Sequence, residues 1–136
     1  MVAIRRSSII EVGYFDEDFP ALQDRELYMR LAQAGCNFLL IPEPLTDYYH
    51  TTNQGSISKS IEHYLLAQKL FEEKYQEEFA LLNENELKLL VVTKLKECAH
   101  RYLLAGNVRQ AVKTQVRVFI KAPSFRHLMT IFVLYC

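Results

Sequence analysis

The sequence predicts a helix-dominated α/β fold, a mixed first half over residues 1–58 followed by an antiparallel helical tail over 59–136. Three observations predict it. Short apolar runs at 2–5 and 37–41, bounded by turn residues, read as strands. From residue 59 onward, apolar residues recur at helical spacing. That second half is also punctuated by serine and asparagine at cap positions and by Gly106 and Pro123 at breaks.

Val2 to Arg5 is the first predicted strand. Ser8-Ile9-Ile10-Glu11 has the capping-box pattern of a short helix that Gly13 ends. The acidic turn Phe15-Asp16-Glu17-Asp18-Phe19-Pro20 follows. A clearer helix runs from Ala21 to Ala34, with Leu27, Tyr28, Leu31 and Ala32 as its apolar stripe and Gly35 as its stop. Glu26 and Arg30, four apart, can pair on its surface. Asn37 to Ile41 reads as a short buried strand, Pro42-Glu43-Pro44 as a turn, and Leu45 to Tyr49 as extended chain. Thr51 to Ser56 is the most loop-like stretch.

In the tail, Ser58 or Ser60 can cap a helix whose inner side carries Ile61, Tyr64, Leu65, Phe71 and Tyr75. Asn83-Glu84-Asn85-Glu86 opens the next, with Leu87, Leu90, Val91, Leu95, Cys98 and Tyr102 toward the core. Gly106-Asn107 breaks it and caps a third helix bearing Ala111, Val112, Val116 and Phe119. Ala122-Pro123-Ser124 ends that one, and Ser124 can cap a last helix from Phe125 to Tyr135. A helix pair joined by Gly-Asn and followed by Pro matches one tetratricopeptide-like hairpin, or a plain antiparallel tail.

Composition narrows the function classes. The chain has 136 residues, 50% hydrophobic and 24% charged, which suits a folded domain rather than a disordered one. Sixteen cations balance sixteen acids. That balance argues against a strongly basic nucleic-acid binder and gives no overall pull toward an anionic membrane. Cys36, Cys98 and Cys136 are odd in number and far apart, which disfavours a disulfide framework or zinc ribbon and suits a cytoplasmic protein. The start lacks the apolar stretch of a signal peptide. The C-terminal run from Leu128 to Cys136 is shorter than the roughly 20 residues a membrane span needs. Docking on the core is its expected role, ahead of a membrane-surface contact.

One constellation in the first half carries chemistry. In order it is Arg5-Arg6-Ser7, Gly13-Tyr14-Phe15-Asp16-Glu17, Gln23-Asp24-Arg25-Glu26-Leu27, Arg30-Leu31, Ala34-Gly35, Ile41-Pro42-Glu43-Pro44-Leu45 and Tyr48-Tyr49-His50. Over residues 1–60 this set resembles the C-terminal, acceptor-side half of a family 2 glycosyltransferase of the GT-A fold. Those enzymes carry a Gly-x-Phe-Asp-Glu turn, an acidic dipeptide ending in Asp at a helix start, an Arg on that helix, a Pro-Glu-x-Leu strand end and a Tyr-x-His. The family's Glu-Asp is Gln23-Asp24 here.

The resemblance implies an inverting transfer of a sugar from a nucleotide-sugar donor to a glycan acceptor hydroxyl. Asp24 matches the general base, which takes the acceptor's proton as its oxygen attacks the anomeric carbon. A position in the first helical turn favours its ionised form. Its plainer reading is a helix N-terminal acid. His50 matches the histidine near the donor diphosphate and its Mn²⁺ or Mg²⁺, with a loop-edge histidine as the alternative. Arg30 can reach the diphosphate, or pair with Glu26. Asp16-Glu17-Asp18 has the Asp-x-Asp form but lies downstream of the family's metal motif.

The resemblance begins at the family's midpoint, and residues 1–136 are not expected to supply the donor-binding half. The expected behaviour is therefore a chain that alone binds no metal and transfers no sugar, with a homodimer or a complementing N-terminal half covering its open sheet edges. The competing reading is a non-catalytic helical protein-interaction module, its tail offering a groove to a partner.

Overall fold

The computed structural model describes residues 2–47 and 60–135. Seven helices make up the regular structure among the described residues: α1 (Arg6–Glu11), α2 (Gln23–Gln33), α3 (Ile61–Lys74), α4 (Gln76–Ala80), α5 (Glu84–Leu104), α6 (Val108–Lys121) and α7 (Phe125–Tyr135). No strand forms among those residues. The α/β expectation is thereby corrected to a small helical fold. A strand exists only where a neighbour completes its ladder. Residues 2–5 and 37–41 have strand-like composition and no ladder.

Helix boundaries follow local chemistry most closely in the second half. Ser60 caps α3, its hydroxyl accepting from the His63 amide at 3.2 Å. Asn83 and Glu86 form a reciprocal capping box on α5, with bonds of 3.0 and 2.9 Å. Gly106 adopts φ +74, and the amides of Gly106 and Asn107 return to the carbonyls of Leu103 and Tyr102 at 3.0 and 2.8 Å. This Schellman turn closes α5 while the Asn107 side chain accepts from the Gln110 amide and opens α6. Ser124 accepts from the His127 amide at the start of α7.

In the first half, α1 begins at Arg6 with no side-chain cap, so Ser8 lies inside the helix rather than at its cap. Gly13 ends it as expected. Helix α2 begins at Gln23, after Leu22, which takes a left-handed φ of 61°. That conformation costs an L-residue roughly 1–2 kcal/mol.

The core has a centre where the chain before α2 meets α3 and α4. Phe19, Ala21, Ala67, Phe71 and Tyr75 are buried together, with Leu22, Met29, Leu70 and Phe79 packed around them. The Phe71 and Tyr75 rings lie 4.8 Å apart, and Phe79 flanks Phe71 at 6.0 Å. Leu65, expected inside α3, is exposed, whereas Ala67 and Gln68 are buried. A second layer follows: α5 packs along α6, and α6 along α7. Ala111, Thr114, Gln115 and Val118 form the buried face of α6, while the predicted Val116 is exposed.

Helix α5 is 21 residues long and α6 is 14. At about 1.5 Å per residue, α5 outruns its partner by roughly 10 Å. The antiparallel pairing puts that overhang at the N-terminal end of α5. Leu87 and Leu90, expected in the core, are exposed there, whereas Val92 and Ala99 are buried further along.

Candidate functional site

Helix α2 carries two of the three residues singled out in the sequence, and the fold separates their roles. The left-handed turn at Leu22 sets the first turn of α2 against α5, leaving an open cleft of about 630 Å³ between them. Phe15, Leu22, Asp24, Tyr28, Glu97 and Arg101 line it. Asp24 is exposed at its rim, and one carboxylate oxygen accepts the Arg25 amide at 2.8 Å. Burial pushes the Tyr28 hydroxyl pKa up, and the nearby charge of Asp24 adds to that shift.

Arg25 spans the cleft. Its Nη2 donates to both carboxylate oxygens of Glu97 at 2.7 and 2.9 Å. The buried Tyr64 donates its hydroxyl to the same carboxylate at 2.8 Å and accepts from Gln68 at 3.0 Å. The Arg101 guanidinium stacks 4.1 Å over the Tyr64 ring. Burial works against ionisation of Glu97, but the bonds from Arg25 and Tyr64 outweigh it and hold the carboxyl below the usual range. Burial and the Glu97 carboxylate together push the Tyr64 pKa up. The cleft floor is thus a closed set of hydrogen bonds, with Asp24 as an exposed acid beside it.

Arg30 is engaged elsewhere. Its guanidinium binds both oxygens of Glu26 and donates to the backbone carbonyls of Val12 and Tyr14. The expected Glu26–Arg30 pair forms, but not on the surface, for Glu26 is 0% exposed. Lys74 and the Tyr75 hydroxyl reach the same carboxylate at 2.7 and 2.9 Å, and Lys74 also binds Asp16 at 2.6 Å. Burial disfavours the charged form of Glu26 most, yet three side-chain donors outweigh it and lower its pKa. Tyr75 is pushed up to about 12 by burial and by that carboxylate. Arg30 therefore ties the α1 turn to α2.

Asp24 and Arg30 consequently do not converge on one cavity. His50 lies outside the described residues, as do Tyr48, Tyr49 and the loop from Thr51 to Ser56. Among the described residues, no three His, Cys, Asp or Glu side chains come together as a metal site. Asp16, in the Asp-x-Asp sequence, is instead the partner of Lys74. Sequence reasoning missed Glu97 and Lys74, which are ordinary helix residues until tertiary packing brings them to α2, and it placed Tyr75 in the core without its bond to Glu26.

No family model, no curated protein and no solved structure matches this chain. The resemblance to a GT-A glycosyltransferase is corrected by this result and by the fold. That architecture requires a sheet, and the described residues form helices and irregular chain. Three of the matching residues have structural roles instead: Gly13 closes α1, Asp16 holds Lys74, and Arg30 holds Glu26.

Proposed function

We propose that this chain is a non-catalytic protein-interaction module, whose segment from Asn37 to Ile41 docks as an added strand on a partner's sheet. One observation carries the reading: a row of large apolar side chains stands in water on irregular backbone. Phe38, Leu39, Leu40, Ile41 and Leu45 are all exposed, Leu39 to 89%. Consecutive apolar residues suit a strand covered on both faces. Among the described residues, no backbone hydrogen bond to other backbone ties down 37–47. An unpaired apolar segment of this kind can become extended on a partner's sheet edge, the recognition mode of β-strand addition, in which main-chain bonds supply affinity and alternate side chains supply specificity.

The local anchoring supports the same reading. The Cys36 amide bonds to the Leu31 carbonyl at 3.0 Å, and Tyr28 meets Phe38 edge-on at 6.5 Å. The segment therefore leaves α2 from a fixed point.

Photo-crosslinking side chains placed at Leu39 and at Leu40, with Glu62 as an exposed control, test the reading in an extract of the source cells. The expected result is one discrete adduct from each of the two positions, lost on Leu40→Pro, which removes a ladder donor. Adducts no different from those at Glu62, or unchanged by Leu40→Pro, would overturn it.

A further inference from the structure

The even charge balance of the whole chain conceals a strict segregation. Residues 105–136 hold Arg109, Lys113, Arg117, Lys121 and Arg126 and no acidic residue. The remaining eleven cations face sixteen acids in residues 1–104, a net −5 against +5. Helical folding turns the C-terminal excess into a stripe. Arg109, Lys113, Arg117 and Lys121 recur every four residues on α6 and are all exposed. The row starts opposite Ala111, Thr114, Gln115 and Val118, the face that α6 buries, and drifts to the flank of that face by Lys121. Among the described residues, none of the five forms an ion pair.

Apolar side chains stand beside these cations. Ile120, 70% exposed, follows Arg117 by three residues and so shares its side of α6. Helix α7, packed along α6, adds Leu128, Met129 and Val133, of which Val133 is 69% exposed. Alone, α7 has one cation, Arg126, and too little charge for a membrane surface. The fold supplies what it lacks by packing it along α6, which carries four more exposed cations.

We propose that the α6–α7 layer is a docking face for an anionic lipid bilayer, lying on the surface without crossing it. No helix among the described residues is long and apolar enough to cross a membrane. Cations attract the headgroups at about 1 kcal/mol each, and exposed apolar side chains enter the acyl boundary. The apolar component favours a bilayer over a nucleic acid, whose phosphates offer Ile120, Met129 and Val133 nothing. The acidic remainder of the molecule is repelled by the same surface, which orients the chain with 1–104 outward.

Vesicle flotation of the full chain tests the inference. Vesicles contain phosphatidylcholine with about 30% phosphatidylserine, or phosphatidylcholine alone, and far-UV circular dichroism checks that each variant keeps its helices. The intact chain is expected to float with the anionic vesicles, much less with the neutral ones, and to release as salt rises from about 0.1 to 0.5 M. Lys113→Ala with Arg117→Ala should weaken partition roughly twenty- to thirty-fold, from about 1 kcal/mol per cation. Ile120→Ser with Val133→Ser should weaken it with the salt dependence retained. Absence of flotation, equal flotation on both vesicles, or indifference to the charge variants would overturn the inference. So would binding to poly(U) in preference to the anionic vesicles.

Discussion

Residues 2–47 contain two helices, of 6 and 11 residues, and the shorter buries no side chain. Residues 60–135 contain the short, uncapped α4 and four longer helices of 14, 21, 14 and 11 residues, each of these four opened by a side-chain cap and laid along a neighbour. In the first region the chain is held by charge: Arg30 and Lys74 converge on the buried Glu26, and Arg30 reaches back to the α1 turn. Two residues of that cluster, Lys74 and Tyr75, belong to the second region. Helices α5, α6 and α7 pack chiefly on one another and on α3, whereas α2 and the turn before it are anchored by side chains lent from α3 and α5. Long capped helices carry much of their own specification, and a short irregular segment needs a partner to define it.

The largest expected effect comes from removing the centre of the charged cluster. Glu26→Ala strips a buried acceptor from two partly exposed cations and a buried phenol. Breaking a buried pair in this way costs about 3–5 kcal/mol. Urea unfolding should show that loss, and hydrogen exchange should locate it: protection falls in α2 while the amides of α5 and α6 keep theirs. Equal loss of protection in α6 would show a single cooperative unit and remove the distinction between the regions.

Acid should have the next largest effect, again on the first region. Glu26 and Asp16 have folded pKa values below their ordinary 4.5 and 3.8, as does Glu97 below its 4.5. For Asp16 the Lys74 hydrogen bond is the main cause, opposed by burial. A lowered carboxyl pKa means that the unfolded chain binds more protons in this range, so stability rises with pH. The contribution is complete above the ordinary values and is lost as pH falls through them toward the folded ones. The urea midpoint should be flat near neutrality and drop below about pH 4.5, with α2 losing exchange protection before α6. Glu26→Gln should flatten that drop; an unchanged acid slope in this variant would refute the assignment.

How much was legible in the sequence follows the same division. Ser60, Asn83, Gly106-Asn107 and Ser124 announce helix ends because capping needs only neighbouring residues, and all four act where expected. Faces were less legible than ends. Leu87 and Leu90 have the right period on α5, but α6 stops short of them, and only relative helix length reveals that. Phe38 to Ile41 has the composition of a buried strand, and nothing local could show that no ladder partner stands beside it. Of the candidate site, the Glu26–Arg30 contact was readable from its spacing of four. Glu97 was not, because it reaches Arg25 from 72 residues away. The chemical assignment of Asp24 came from a motif set in which Gly13, Asp16 and Arg30 serve the fold, so motif spacing alone could not separate catalysis from folding.

The smallest expected effect concerns the link between the two regions at the cleft. Arg25 and Glu97 join α2 to α5 with a contact of 2.7 Å, but their side chains are more than a third exposed. Solvent screening reduces such a pair to about 0.2–1 kcal/mol in a double-mutant cycle. Arg25→Ala and Glu97→Gln, alone and together, should give a coupling in that range that shrinks as salt is raised. The single effects should differ, because Glu97 also accepts from Tyr64 and the amide of Glu97→Gln is a poorer acceptor for that buried hydroxyl. Loss from Glu97→Gln should therefore persist in high salt and exceed that of Arg25→Ala. A coupling well above 1 kcal/mol would mean that the cleft, and not the Glu26 cluster, is the principal attachment of α2 to the rest of the chain.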